Sequence, residues 1–340
     1  MAPQNRAAWL MKRQDNVQVV EDAPYNKPEA DEVVIQTMAV AINPADCALQ
    51  KLGIIIDTYP AILGCDVAGV IEEVGSSIKD FKLGDRVLGA ALPLPGGIYK
   101  YSGFQKYVVL KMPLIAKIPD NVSFTDATVL PLGISTAASC LFHESTLALD
   151  MPPSQGGQGK ILLIWGASSS VGSCGVQLAV AAGYEVFGVA SKKNHAFIKS
   201  LGAVQAFDHS DFNIIWEIVF ALKGKTCVGA FDAISKKETL HAICDILHQS
   251  GGKKLIAGVA PGIESLTKHD VTIKNNFAYL SSRAIVDQQI WRVFLEPALA
   301  SGAFQYAPPA DIVGHGLKDV QKGCDLLGQG VSAKKVVISL

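Results

Sequence analysis

The chain has 340 residues, 30 Lys plus Arg against 31 Asp plus Glu, a formal net charge of −1 and 49% hydrophobic residues, an ordinary globular composition at a length that suits two domains. This excludes disorder, collagen and coiled coil, and it leaves no basic excess with which to neutralise a phosphate backbone, so no nucleic-acid partner is expected. The seven cysteines, at 47, 65, 140, 174, 227, 244 and 324, form no Cys-x-x-Cys and come no closer than 17 residues apart, which suits scattered reduced thiols in a reducing cytoplasm rather than a disulfide framework or a zinc knuckle.

The apolar run Ala7 to Met11, between Arg6 and Lys12, is too short for a signal-peptide core, so secretion is not expected. Up to about residue 120 the chain reads as short β-rich runs, Glu32 to Ala39, Val67 to Val74, Arg86 to Leu88 and Gln105 to Leu110, separated by Gly, Pro and Asp turns. This half predicts a β-barrel or folded sheet. Ser123-Phe-Thr-Asp126 then carries capping chemistry and opens an apolar helix through Thr136 toward Phe142. His143, at the end of that helix, reads as a capping residue rather than a general base.

Beyond the Pro-, Gln- and Gly-rich loop from Met151 to Gly159, six short apolar or β-branched runs follow: Ile161 to Trp165, Glu185 to Ala190, Val204 to Phe207, Val228 to Ile234, Lys253 to Val259 and Phe277 to Leu280. The stretches between the early ones have helical length and pattern, which predicts an α/β doubly wound parallel six-stranded sheet. The most apolar run, Ile161 to Trp165, ends at Gly166, far short of the roughly 20 residues that span a bilayer. No membrane partner is expected, and the protein reads as soluble and cytoplasmic. After Asp287 a helix and a last strand, Lys335 to Ser339, remain.

The strand ending at Trp165 runs into Gly166-Ala-Ser-Ser-Ser-Val-Gly172 and then into a helical pattern from Gly175. Such a loop, set between a buried strand and a helix N-terminus, offers backbone N–H groups and a positive helix end to a pyrophosphate. The glycine fingerprint is degenerate: Ala167 and Ser169 stand where the two earlier glycines would be. The second strand is followed by Ser191-Lys-Lys-Asn194, where an NAD site usually carries an acid for the ribose. Hydroxyl, amide and two ammonium groups there suit the 2′-phosphate of NADP. A plain solvated Lys-Lys helix start is the competing reading.

Asn43-Pro-Ala-Asp46, the run Tyr59-Pro-Ala-Ile-Leu-Gly-Cys-Asp-Val-Ala-Gly69, Val74-Gly75, Phe81-Lys-Leu-Gly-Asp-Arg-Val87, the loop Gly166 to Gly172 and the ending Val331-Ser-Ala-Lys-Lys-Val-Val337 together resemble the medium-chain dehydrogenase/reductase superfamily across nearly the whole chain. The resemblance implies a GroES-like catalytic domain, residues 1–123 and 283–340, carrying an inserted Rossmann NADP-binding domain, residues 124–282. Zinc members have a Cys ligand after the first motif and Gly-His-Glu in the second. This chain has Asp46-Cys47 and Gly64-Cys65-Asp66 instead, and no cysteine between Arg86 and Asn121. With about three protein ligands needed for a catalytic Zn²⁺, no metal is expected.

The pattern Gly314-His-Gly-Leu317, the helix through Leu327 and Gly328-Gln-Gly-Val-Ser-Ala-Lys-Lys335 is similar to fungal trans-acting enoyl reductases that assist polyketide synthases, and to their ToxD-like relatives. By that resemblance Ser168, Ser169, Ser170 and Val171 hold the pyrophosphate, and Ser191, Lys192, Lys193 and Asn194 hold the adenosine 2′-phosphate. His209 stands where relatives have a Tyr near the ribose, Val259 belongs to the cofactor set, and Lys334 closes the cofactor cleft. Asn43 and Thr136 lie near the nicotinamide or substrate, and Asp46 joins Thr136 among the substrate contacts. No catalytic proton donor is assigned. Tyr59, Tyr99 and Tyr101 read as pocket lining, and Gly96 to Gly103 reads equally as a mobile substrate loop or a surface excursion.

The implied activity is an NADPH-dependent enoyl reductase that passes hydride to the β-carbon of an α,β-unsaturated acceptor without zinc. The expected substrate is a small enone or an acyl thioester, carried on coenzyme A or on the carrier protein of a polyketide synthase, and the protein is a monomer or homodimer. An NADPH quinone or 2-alkenal oxidoreductase and a non-catalytic NADPH-binding protein are the alternatives. A hydrolase is not expected, because no Gly-x-Ser-x-Gly elbow is present.

Overall fold

In the computed structural model, which describes residues 3–15, 18–93, 96–275 and 284–340, the chain divides into one unit formed by Met1–Leu132 with Leu295–Leu340 and a second formed by Gly133–Phe294. The first begins with β1 (Asn5–Leu10), β2 (Gln18–Ala23), β3 (Glu32–Ala41), the helix α1 (Pro44–Leu52), β4 (Ala61–Ile62), β5 (Asp66–Val74), β6 (Arg86–Ala90), β7 (Tyr107–Lys111), β8 (Ile115–Lys117) and the short helix α2 (Phe124–Ala127). The four predicted runs are β3, β5, β6 and β7. β3 is buried along most of its length and is flanked by β5 and β7, both antiparallel to it. Its last residue, Ala41, stands opposite Asp66, the first of β5.

Helix α1 was not anticipated, although its start is written in Asn43-Pro-Ala-Asp46. Pro44 sits at the first turn, where its missing N–H costs nothing, and the Asp46 carboxylate accepts a hydrogen bond from the Asn43 N–H at 2.8 Å. The helix stops at Gly53, which takes the left-handed conformation (φ 59°) that a chain reversal requires.

The second unit opens within α3 (Pro131–Phe142) and continues with β9 (Lys160–Trp165), α4 (Ser170–Ala181), β10 (Glu185–Ala190), α5 (His195–Ser200), β11 (Gln205–Asp208), α6 (Ile214–Ala221), β12 (Thr226–Asp232), α7 (Lys237–Gln249), β13 (Leu255–Gly258) and β14 (Thr272–Asn275). The six strands form one sheet in the order β11-β10-β9-β12-β13-β14, parallel throughout. Chain direction across the sheet reverses between β9 and β12, the switch point at which ligands bind in such sheets. Helix α4 lies close over these central strands because Gly175 has no side chain: a Cβ there would come within 2.7 Å of the Phe231 ring.

The predicted strand Phe277 to Leu280 lies outside the described residues. The sixth strand observed is β14, which was missed because it is a half-exposed edge strand: Thr272 and Lys274 are exposed and Ile273 is buried, so it offers no continuous apolar run. The stretch Phe124–Phe142 was also under-read. Among the described residues it alone is long and apolar enough to cross a membrane by length and composition, with mean hydropathy 1.2, and 72% of it is buried within the protein, as in a core helix.

The chain continues through α8 (Ala284–Asp287), a π-helical stretch Gln288–Leu295 and α9 (Glu296–Ser301), and then adds β15 (Ala310–His315), α10 (Val320–Gln329) and β16 (Lys335–Ser339) to the first unit. β16 inserts antiparallel beside β3, with Val337 opposite Ala41, and pairs with β15 on its other side. The larger sheet is therefore ordered β15-β16-β3-β5-β6-β8 with β7 on β3, beside a small sheet β2-β1-β4.

Candidate functional site

The carboxyl ends of the parallel strands gather most of the residues singled out from the sequence. After β9 the loop from Gly166 turns into α4, whose N-cap is Ser169: its Oγ accepts from the Gly172 N–H at 3.0 Å. A Cβ on Gly172 would fall 2.1 Å from the Gly166 carbonyl oxygen, so only glycine lets the first turn of the helix close on the loop. Ser168, Ser169, Ser170 and Val171 line this turn and remain half-buried, with small side chains over backbone. The cradle and the amino end of a 12-residue helix together fit an anionic pyrophosphate.

The Ser191–Asn194 stretch follows β10. Lys192 and Lys193 are exposed, whereas Asn194 is only 8% exposed and donates from Nδ2 to the Ser168 Oγ at 3.2 Å. Asn194 is thus a brace between the two loops, its side chain committed inward. Ser191 Oγ and His209 Nε2, the latter just after β11, are 3.0 Å apart. Past β12, Ser235 Oγ donates to the Asp232 carbonyl and accepts from the Val259 N–H at 2.7 Å, stitching the loops after β12 and β13. Asp232 is fully buried, and burial pushes its carboxyl up against the hydrogen bonds from Thr239 Oγ1 and the Ile234 N–H. Thr136, on α3, is half-buried.

In the first unit the structure assembles a buried charge centre that the sequence did not disclose. The Lys335 ammonium lies 2.7 Å from Asp66 and donates to the Asn43 Oδ1 at 2.5 Å, while the Asn43 Nδ2 donates to Asp66 at 2.8 Å, closing a ring of three side chains. The other Asp66 oxygen accepts from the Leu132 N–H at 2.6 Å. Asp66, Asn43 and Lys335 are 0%, 2% and 3% exposed. Beside them Asp46, expected among the substrate contacts, has no exposed surface. One of its oxygens caps α1 and the other lies 3.4 Å from the Cys65 Sγ.

These residues stand where zinc relatives are expected to carry ligands, and they do not fit a metal. Burial and the two neighbouring carboxylates push the Cys65 thiol well above its ordinary range, so it holds its proton. The Asp66 carboxylate already accepts from Lys335, Asn43 and Leu132, so a divalent ion there would have to compete with a buried ammonium. Among the described residues the three-ligand grouping with suitable spacing is Glu29, Asp31 and Glu32, where Glu32 already takes Lys100 and Tyr101.

The other residues singled out from the sequence lie outside this centre. Lys334 is a surface residue, 55% exposed and 3.3 Å from Asp311, whereas its neighbour Lys335 is the buried cation. The 96–103 loop is pinned: Lys100 bonds Glu29 and Glu32, Tyr101 donates to Glu32, and Tyr99 packs edge-on against Trp9 at 5.2 Å. His143 engages Ser145 in the turn after α3, with Nδ1 accepting from the Ser145 N–H, a turn-capping role.

A six-stranded parallel sheet with a helix N-terminus at its switch point, together with a β-rich unit that the C-terminal strand completes, is the two-domain architecture of nucleotide-dependent oxidoreductases. Residues 29–120 match the alcohol dehydrogenase GroES-like domain, and residues 170–296 match the zinc-binding dehydrogenase domain. The chain belongs to the medium-chain dehydrogenase/reductase superfamily, whose Rossmann fold implies a nicotinamide cofactor. It is 39% identical to the dehydrogenase pigH of Monascus ruber, over 99% of this chain and 100% of that protein, and 38% identical to the trans-enoyl reductase himH of Aspergillus japonicus, over 99% and 97%. Its fold is similar to that of an alcohol dehydrogenase superfamily protein from Novosphingobium aromaticivorans, with a TM-score of 0.77 at 21% identity, covering 99% of each chain.

Two predictions follow from the charge centre. Lys335→Met leaves the buried Asp66 carboxylate without its cation and is expected to lower stability by about 3–5 kcal/mol in denaturant unfolding. Adding Asp66→Asn removes the stranded charge and recovers much of that loss. The second concerns Asp46, whose carboxyl is pushed up to about 6 by complete burial, with Asp66 adding to the effect. Its proton is held more tightly in the folded state than in the unfolded chain, so its contribution to stability is lost as pH rises from about 4 through 6. Asp46→Asn, which keeps the oxygen that caps α1, is expected to flatten the stability profile over that range by roughly 2–3 kcal/mol.

Proposed function

We propose that the protein is an NADPH-dependent, zinc-independent enoyl reductase acting on an α,β-unsaturated acyl thioester. The observation that carries this reading is the closed Asn43–Asp66–Lys335 ring, which uses the protein's own ammonium to satisfy the carboxylate that a metal would need. A metal held there would act as the Lewis acid that polarises an alcohol or aldehyde oxygen. A conjugated thioester needs no such ion, since its carbonyl already draws electron density from the β-carbon. The name of the relative himH, a trans-enoyl reductase aligned over nearly the whole chain, supports the same choice.

When bound, the dinucleotide supplies a hydride to the β-carbon of the acceptor, the α-carbon taking a proton. The protein's residues do the rest by holding and orienting. Ser168, Ser169, Ser170 and Val171 receive the pyrophosphate at the α4 N-terminus, braced by Asn194. Ser191, Lys192 and Lys193 offer a hydroxyl and two ammonium groups to the 2′-phosphate, where an acid would repel it. His209 steadies Ser191, and Ser235 fixes Val259 at the end of β13. Thr136 is assigned to the substrate, and Lys334, exposed just before the last strand, to closing the cofactor cleft. Asp46 supports Asn43 through its backbone N–H, a positioning role. In this reading residues 124–282 bind the dinucleotide and residues 1–123 with 283–340 form the catalytic domain, and the enzyme works in the cytoplasm on coenzyme A or carrier-protein thioesters.

The direct test follows NADPH consumption by the purified chain with crotonyl-coenzyme A and, separately, with benzoquinone, before and after treatment with a chelator. We expect turnover of the thioester, indifference to chelation and no stoichiometric zinc by elemental analysis. One zinc per chain lost together with activity overturns the zinc-free assignment, and turnover of the quinone alone moves the protein to the quinone reductases. Cofactor choice is tested by Lys192→Asp. A charge-assisted hydrogen bond to the 2′-phosphate is worth about 1.5–3 kcal/mol, or roughly 10- to 100-fold in affinity. The ratio of kcat/KM for NADPH over NADH is expected to fall by at least that factor. An unchanged ratio reduces Lys192 to a solvated helix start.

A further inference from the structure

Strands β10 and β11 end in register, Ala190 opposite Asp208, so the residues that leave them, Ser191 and His209, emerge as neighbours. The His209 N–H extends the ladder onto the Ala190 carbonyl at 3.3 Å, and its ring turns toward Ser191, with Nε2 3.0 Å from the Oγ. Both are carboxyl ends of parallel strands, the edge at which such sheets bind ligands. The ring is exposed, as are Lys192 and Lys193. Half-buried Asp208 accepts from the Ser210 N–H at 3.1 Å and from its Oγ at 2.8 Å. These bonds, with the nearby His209 and His195 imidazoles, hold the Asp208 carboxyl below the usual range. His195, on α5, keeps Nε2 3.4 Å from the Ala190 carbonyl, so that nitrogen is a donor, and Asp211 is turned to the Asn213 N–H at 2.8 Å.

An imidazole changes its charge between about pH 5 and 8, whereas an ammonium does not. At Ser191 the consequence is a change in hydrogen-bond direction. In the neutral ring Nε2 accepts from the hydroxyl or donates to it, according to the tautomer; in the imidazolium it carries a proton and only donates. The Ser191 oxygen is then the acceptor, and its own O–H is released to point elsewhere, beside a new positive charge. One proton taken from solvent thus supplies both a charge and a hydrogen-bond donor. A phosphate dianion in reach of Ser191 gains from both, while a neutral hydroxyl in its place gains little.

We propose that His209 is a specificity-determining residue: its imidazolium, acting directly and through Ser191, makes the preference for a dinucleotide with a 2′-phosphate over one with a 2′-hydroxyl rise as the pH falls. The proposal rests on the NADPH reading above. The dianion stabilises the imidazolium, so binding draws a proton from solvent, and affinity for NADPH rises as the pH falls from about 8.5 to about 6.5. Below about pH 6 the free dinucleotide's phosphate takes up its own second proton and the gain ends. NADH, which lacks that phosphate, is the internal reference. Dissociation constants for both are measured on the full chain by dihydronicotinamide fluorescence, with no acceptor present. The ratio of Kd for NADH over NADPH is expected to fall about fivefold as the pH rises across that range, the weak end of a charge-assisted hydrogen bond open to water. His209→Tyr is expected to hold the ratio flat at its alkaline value, and His209→Arg to hold it flat at or above its acid value. Because His209 is exposed, neither change disturbs the core. A preference for NADPH that does not vary with pH, or whose variation survives in His209→Tyr, overturns the proposal and leaves the cofactor reading standing. Equal affinity for the two dinucleotides at every pH overturns the cofactor reading, and the proposal with it.

Discussion

The first unit is organised by one constraint: the Asp66 carboxylate has no exposed surface, and a buried charge must be paired or removed. The chain pairs it with Lys335, which must travel from the far end of the sequence, 292 residues beyond Asn43, to complete the ring. That requirement fixes more than a contact. Asp66 begins β5, Lys335 begins β16, Asn43 precedes α1 and the Leu132 N–H joins α3, so one carboxylate ties four elements at their ends. The register of β16 on β3, with Val337 opposite Ala41, places Lys335 beside Asn43, and a shift by one residue would turn the ammonium to the other face of the sheet.

The same centre limits the chemistry available nearby. A carboxylate that accepts from an ammonium, an amide and a backbone N–H gives a metal strong competition, and a thiol buried beside Asp46 is held as the neutral acid. What remains in the cluster is structural polarity, buried and hydrogen-bonded. Reactivity in a protein of this build must then come from a bound cofactor and from how the substrate is oriented, which is the division of labour that suits an acceptor already activated by conjugation.

The second unit was the more legible half of the sequence because its signals are local. Ile161 to Trp165 is a continuous apolar run, the Gly166 to Gly172 loop sits next to it, and a helix pattern follows, so strand, loop and helix are each readable within a dozen residues. β14 was lost to the same logic, since an edge strand with alternating exposure has no apolar run to find. The charge centre was illegible for a different reason: its members are far apart, and each looks ordinary alone. Lys334 and Lys335 are adjacent and chemically identical, and nothing local in the sequence marks Lys335 as the one that is buried. The pleat of β16 decides between them, sending one ammonium inward and leaving its neighbour 55% exposed beside Asp311. Only the helix start Asn43-Pro-Ala-Asp46 was readable in principle, as a proline at the first turn with an acid two residues on.

The two units thus handle charge in opposite ways. At the ends of the parallel strands Lys192 and Lys193 stay in water, where holding a cation costs little. In the first unit Lys335 is stripped of water and committed to one carboxylate, so its charge is consumed by the fold. A lysine of the first kind can be exchanged with little change in stability. One of the second kind cannot be removed without stranding its partner. The number of lysines in the sequence says nothing about which is which; the distinction lies in whether a carboxylate without solvent stands within hydrogen-bond reach, and at Asp66 one does.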